Sequence, residues 1–114
     1  MTRSILTSIK KDLGLTEEQT EFDSTIIGHI NTALMVLTQN GVGPEEGFMI
    51  SDEMATWNEF IGDSATNLVA VRTYVYHSVK LDFDPPENGT LIAAMQTRLK
   101  ELEWRLNVQA ETNI

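Results

Sequence analysis

The chain has no cysteine, which excludes disulfides, thiol chemistry and cysteine-ligated zinc or iron–sulfur sites. This fits a protein made and used in a reducing cytoplasm. Three prolines and seven glycines in 114 residues are too few for a collagen-like or linker-like chain. No run approaches the roughly 20 consecutive apolar residues that a membrane span needs, so a soluble protein is expected. The N-terminal stretch MTRSILTSIKKDLG is interrupted by Thr7, Ser8, Lys10 and Lys11, so no signal peptide is expected either.

Basic residues are absent from a long middle section. All eight lie towards the ends: Arg3, Lys10 and Lys11, then Arg72, Lys80, Arg98, Lys100 and Arg105. From Asp12 to Val71 there are eleven carboxylates and no Lys or Arg, within a net charge of −9. Such a surface repels phosphate, and phosphate contacts dominate nucleic-acid affinity. Direct binding of DNA or RNA through this half is therefore disfavoured. An acidic surface keeps the chain soluble, and it also suits a basic partner or DNA sliding past without sticking.

What is present reads as helices. The length is that of one domain, able to bury roughly two thirds of its unfolded surface. The pattern predicts an all-α fold, a small bundle of three long helices plus a short N-terminal one. Residues 3–13 carry Ile5, Ile9 and Leu13 on one face and stop at Gly14. Thr16 and Gln19 have capping-box spacing, which predicts a brief helical turn. Asp23 is a good N-cap for a first long helix running to Asn40, with a stripe of Ile26, Ile30, Ala33, Leu34 and Leu37, about 25 Å long. Gly41 is placed for its left-handed C-terminal turn.

A long loop follows, with Gly41, Gly43, Pro44 and Gly47 unable to continue a helix. Loops of this length in compact domains are usually functional or disordered. Phe48, Met49 and Ile50 give it an apolar element that suits a short strand, and Trp57, Phe60 and Ile61 predict a short helical turn. The next helix begins after Asp63 or Ser64 and reaches Phe83, apolar around most of its circumference, which marks it as central. Asp84-Pro85-Pro86 ends it. The last helix spans about 88–109. Its narrow seam of Ile92, Met95, Leu99, Leu102 and Leu106 leaves Trp104 on another face, and a polar, fraying tail follows. One domain over 1–114 is expected, with 99–114 as a protruding docking helix and tail that orders on binding.

The parts of an enzyme are missing. His29 and His77 sit on different helices, and neither has a ligand at i+4: Ala33 and Leu81 stand there. The adjacent carboxylates Glu17-Glu18, Glu45-Glu46 and Asp52-Glu53 lie in hydrophilic stretches that would not push two pKa values apart. No phosphate loop, nucleophile elbow or dinucleotide fingerprint occurs. No catalytic residue, metal or cofactor is expected. The aromatic residues point to binding, since Trp57 and Trp104 are of the type enriched at interface hot spots. The candidate partner-binding set is Phe48, Met49, Ile50, Trp57, Leu99, Leu102, Trp104 and Leu106, and the candidate acidic face is Glu45, Glu46, Asp52 and Glu53.

Several stretches together resemble the head–tail connector family (adaptor or head-completion proteins) of long-tailed bacteriophages and prophages. They are SILTSIKKDLGL at 4–15, FDSTIIGHINTAL at 22–34, GVGPEEGFMISDE at 41–53, TWNEFIGD at 56–63, YVYHSVKLDFDPP at 74–86 and LKELEWRLN at 99–107. The chain departs from the pattern at Lys80-Leu81-Asp82, where a more basic or apolar run is expected. The resemblance implies a helical bundle that assembles in the host cytoplasm as a ring beneath the portal, becomes part of the virion, and extends the DNA channel. Its partners would be copies of itself, the portal protein, and a downstream connector or tail-completion protein, with DNA passing unbound. On that reading the acidic face looks into the channel. A small acidic regulatory or antitoxin-like helical protein with a basic partner explains the acidity equally well, but not the end-to-end resemblance.

Overall fold

In the computed structural model, residues 4–62 and 65–112 are described. Arg3, the helix start expected at Asp63 or Ser64, and Asn113 and Ile114 lie outside them. Helix α1 is Ile5–Asp12; its first turn is capped by Ser4 Oγ, which accepts from the Thr7 amide at 3.2 Å. Ile5 and Ile9 are fully buried, as their four-residue spacing demands. The helix closes in a Schellman turn: Leu15 N–H donates to Lys10 O at 2.8 Å and Gly14 N–H to Lys11 O at 3.0 Å. Beyond it, the Thr16 amide donates to Gln19 Oε1 at 2.7 Å, but only a turn forms where a helical turn was expected.

Helix α2 is Asp23–Gln39, and its five predicted stripe residues are all in the core. Asp23 is not the cap; Phe22 holds that position without a side-chain cap bond. The Asp23 carboxylate instead sits in the first turn, 2.8 Å from the Lys10 ammonium. The C-terminus ends in a second Schellman turn, with Val42 N–H donating to Leu37 O at 2.9 Å and Gly41 N–H to Thr38 O at 3.0 Å. Gly41 takes φ +85°, and Val42 and Leu37 are both buried, the apolar contact that accompanies this motif.

The loop that follows is irregular, and no described residue forms a strand; the one isolated bridge pairs Ser4 with Thr56. The strand expected at Phe48–Ile50 is replaced by a side-chain clamp. Asn31 Nδ2 donates to Ile50 O at 3.0 Å, and Ile50 N–H donates to Asn31 Oδ1 at 2.8 Å. The amide of one α2 residue thus satisfies both backbone groups of the loop, as a neighbouring strand would. Gly43 allows Phe60 to lie against the loop: a Cβ there would stand 2.5 Å from Phe60 Cε1.

Helix α3 is Trp57–Ile61, opened by a full capping box between Thr56 and Glu59. Helix α4 is Ala65–Phe83 and helix α5 is Gly89–Thr112, the latter capped by Asn88 Oδ1, which accepts from the Thr90 and Leu91 amides. The fold is all-α. Helix α4 is central, packing on α2 and α5 and touching α1 and α3. It is not enclosed all round, however, since Val69 is 69% exposed.

The last helix does not protrude. Leu102 and Leu106 are buried and Leu99 is half-buried against the core, so this part of its seam belongs to the chain's own interior, while Ile92 and Met95 are half-buried outside that cluster. Asn107 Nδ2 also donates to Asn40 O at 3.0 Å, tying α5 to the end of α2. The tail expected to fray is helical as far as Thr112.

Candidate docking surfaces

The eight apolar residues expected at a partner surface divide sharply. Ile50, Trp57, Leu102 and Leu106 are core residues. The Asn31 clamp fixes the backbone at Ile50, whose side chain is buried, and Trp57 Nε1–H donates to the buried Ser8 Oγ at 3.2 Å, joining α3 to α1. Phe48 is half-buried, its ring 5.5 Å from that of Phe60. Only Met49 and Trp104 stand well out, 77% and 67% exposed. The burial of the other apolar side chains leaves these two as the accessible members of the set.

The structure adds residues that pattern reading passed over. Met35, 54% exposed, immediately follows stripe residue Leu34 and so points away from it. Together with Phe48, Met49, Thr32 and Gln39 it lines a groove of about 570 Å³ between α2 and the loop. A large apolar residue outside a helix's stripe was the available signal. Val69 and Tyr76 line a second groove of similar volume on α4, beside the Arg72–Asp12 pair. In that pair Arg72 donates from Nε and Nη2 to the two Asp12 oxygens, each at 2.9 Å, and this hydrogen bonding raises the already high Arg72 pKa.

The four acidic candidates are all exposed, but they do not form one cluster. Glu46 borders the Met35 groove, with Glu45 beside it in sequence. Glu53 lines a different pocket with Glu17, Thr20 and Asp23 at the approach to α2. Asp52 is partly committed locally, its Oδ1 accepting from the Met54 amide at 2.8 Å. The bases are placed quite differently. Lys10 is buried against Asp23, Arg72 is held by Asp12 and Lys80 is paired with Asp84 at 2.9 Å. Arg98, Lys100 and Arg105 lie exposed on α5.

Nothing in the described residues assembles into a metal centre. No group of three or more His, Asp or Glu is placed to hold an ion, and no described helix is long and apolar enough to cross a membrane. His77 Nδ1–H donates to Thr73 O at 2.9 Å within its own helix, and His29 lies 3.8 Å from Asp82. What the molecule offers is surface: two apolar features on different helices, the groove beside Met35 and the exposed Trp104.

Comparison with known proteins bears on what such surfaces serve. No curated protein and no solved structure matches the chain significantly. A family model described as phage connector protein matches residues 5–113, all but the two extremes. The chain therefore belongs to the phage connector family, structural components of the bacteriophage virion that act at the junction of head and tail and contact its other proteins.

Proposed function

We propose that this chain is an adaptor that assembles as a ring beneath the phage portal, extends the DNA channel, and joins head to tail after the genome is packaged. The observation that carries this reading is the family match over 5–113, which spans every helix of the fold and not one local motif. The surface chemistry supports it. A protein in a ring contacts neighbours on two sides and other virion proteins above and below, and exposed Met49, Trp104, Met35 and Val69 supply apolar contact area on α2, its loop, α4 and α5. In this reading Phe48 and Leu99 contribute at the margins. Ile50, Trp57, Leu102 and Leu106 act indirectly, by holding those surfaces in place.

The acidic section serves the channel. Asp52 and Glu53, exposed and remote from the basic side chains of α5 in sequence, are assigned to the channel wall, where carboxylates repel phosphate and let DNA pass. The portal is the partner on the head side, and a downstream connector or tail-completion protein is the partner on the tail side.

Cosedimentation of the purified chain with portal rings from the same genome tests the proposal. Stoichiometric capture into the portal peak is expected. A chain that stays at the top of the gradient beside competent portals removes the adaptor role.

A further inference from the structure

We propose that Asn88 is a site of spontaneous covalent modification: its carboxamide cyclises onto the Gly89 nitrogen and is hydrolysed, leaving aspartate or isoaspartate at the head of α5.

The dipeptide Asn-Gly occurs twice in the chain, at 40–41 and at 88–89. A glycine in second place has no Cβ to hinder its nitrogen from approaching the asparagine side-chain carbon. The fold gives the two copies opposite surroundings. At the first, the Asn40 carboxamide is turned back along α2, with Nδ2 donating to Val36 O at 3.1 Å. The Gly41 N–H, whose nitrogen would have to attack, donates to Thr38 O at 3.0 Å. Both reacting groups are committed, and Asn107 Nδ2 adds a third contact by donating to Asn40 O at 3.0 Å. That site is closed.

The second copy is arranged for the reaction. Asn88 and Gly89 are both exposed, and nothing outside its own turn of helix stands within 4 Å of where a Gly89 Cβ would be. The Gly89 N–H lies at the open end of α5 and donates to no group among the described residues. The Asn88 side chain points forward along the chain. Its Oδ1 accepts from the Thr90 amide at 2.8 Å and the Leu91 amide at 3.2 Å, so it crosses the Gly89 peptide to reach them. These two donors face the oxygen on which negative charge builds as the nitrogen adds to Cγ, as the donors of an oxyanion hole do.

In the first step the Gly89 nitrogen bonds to Asn88 Cγ and gives its proton to water. Nδ2 takes up a proton and leaves as ammonia, and a cyclic imide remains. Water then opens the imide. Cleavage between Cγ and nitrogen leaves aspartate in an ordinary main chain. Cleavage between the main-chain carbonyl and nitrogen leaves isoaspartate, with the main chain running through Cγ. Aspartate keeps the cap and places a full negative charge at the positive end of α5. Isoaspartate draws the capping group into the main chain, so both cap bonds are lost, together with that from Ile92 N–H to Asn88 O at 3.1 Å.

The test is storage of the full chain in mildly alkaline buffer, with and without urea, followed by peptide mapping in a mass spectrometer. Trypsin releases residues 81–98, in which Asn88 is the single asparagine, and isoaspartyl methyltransferase marks the isoaspartate. In urea the two Asn-Gly sites are expected to convert at similar rates. In buffer Asn88 is expected to keep its urea rate while Asn40 slows by about thirtyfold, the effect of two hydrogen bonds that must first break. Gly89→Ala places its Cβ in open space and favours helix, so it is expected to suppress conversion at Asn88 with the thermal melt unchanged. The Thr90 and Leu91 amides are expected to exchange faster in the isoaspartate fraction than in Asn88→Asp, and equal exchange in the two removes the loss of the cap. The proposal is overturned if Asn88 slows in buffer as Asn40 does, which would make the cap a protection. It is equally overturned if the new carboxylates arise mainly at other asparagines, or if Gly89→Ala converts as fast as wild type.

Discussion

Lys10 is a base in an acidic chain, yet its charge never reaches the surface: it is 3% exposed, with its ammonium 2.8 Å from Asp23 and 3.3 Å from Glu17 O. It joins α1, the connecting turn and α2 at one point, and an unpaired charge in that position would be strongly destabilising. Tyr74, on α4, is a second buried residue with a titratable group. Burial pushes its phenol above the ordinary value of 10.0, and the charge of nearby Glu103 pushes it further. The folded chain therefore keeps a proton that the unfolded chain releases once the pH passes 10.0. The stability from this group is complete below that pH and is lost as the pH rises through the folded-state value. Urea unfolding across an alkaline series is expected to show this decline. Tyr74→Phe, which removes the titrating phenol, should flatten it while changing stability at neutral pH by about 1 kcal/mol or less. Equal alkaline slopes for the two proteins would assign the decline to other groups. None of this was legible in the sequence. Tyr74 reads as one more apolar residue on a helix apolar nearly all round, and Glu103 lies on another helix.

Helices with a regular stripe and a chemical stop were the readable elements. Ile26, Ile30, Ala33, Leu34 and Leu37 fixed the buried side of α2, and Gly41 its end, because period and C-terminal turn are local properties. Asp84-Pro85-Pro86 likewise fixed the end of α4, although Lys80, which breaks the expected pattern nearby, proves to pair with Asp84. The loop was not readable, because its order comes from a contact nineteen residues away in sequence. Phe48–Ile50 looked like a strand, when Ile50 and Asn31 together form one clamp. Asn31→Ala is expected to cost about 2 kcal/mol, since it leaves both backbone groups of Ile50 without their partner. Alanine favours helix more than asparagine, so α2 itself should not weaken. The distinguishing measurement is amide hydrogen exchange: the Ile50 amide should lose protection while those of α2 keep theirs. Unchanged protection at Ile50 would mean that the loop is ordered by packing alone.

Across the whole molecule, the competition between folding and docking for the same apolar side chains decides how much of the surface could be foreseen. Acidity was a property of composition, so it was visible at once. Which apolar residues remain for partners depends on how the helices meet, and hydrophobicity alone could not separate buried Trp57 from exposed Trp104. The same limit affected the last helix, whose leucine seam fits a docking helix and a core helix equally well by spacing. The structure gives it to the core, and a deletion can check that assignment. Removing 99–114 takes away buried Leu102 and Leu106 and half-buried Leu99, and it uncovers the faces of α4 and α2 beneath them. Each fully buried leucine contributes about 1.5–3 kcal/mol, against a total stability of roughly 5–15 kcal/mol for a domain. The shortened chain is therefore expected to lose its cooperative thermal transition in circular dichroism, and with it every docking activity. A shortened chain that melts like wild type but no longer enters portal rings would return this segment to the role of a docking tail. The burial of Leu102 and Leu106 argues against that outcome, because a helix whose seam completes the core cannot be withdrawn without exposing that core to water.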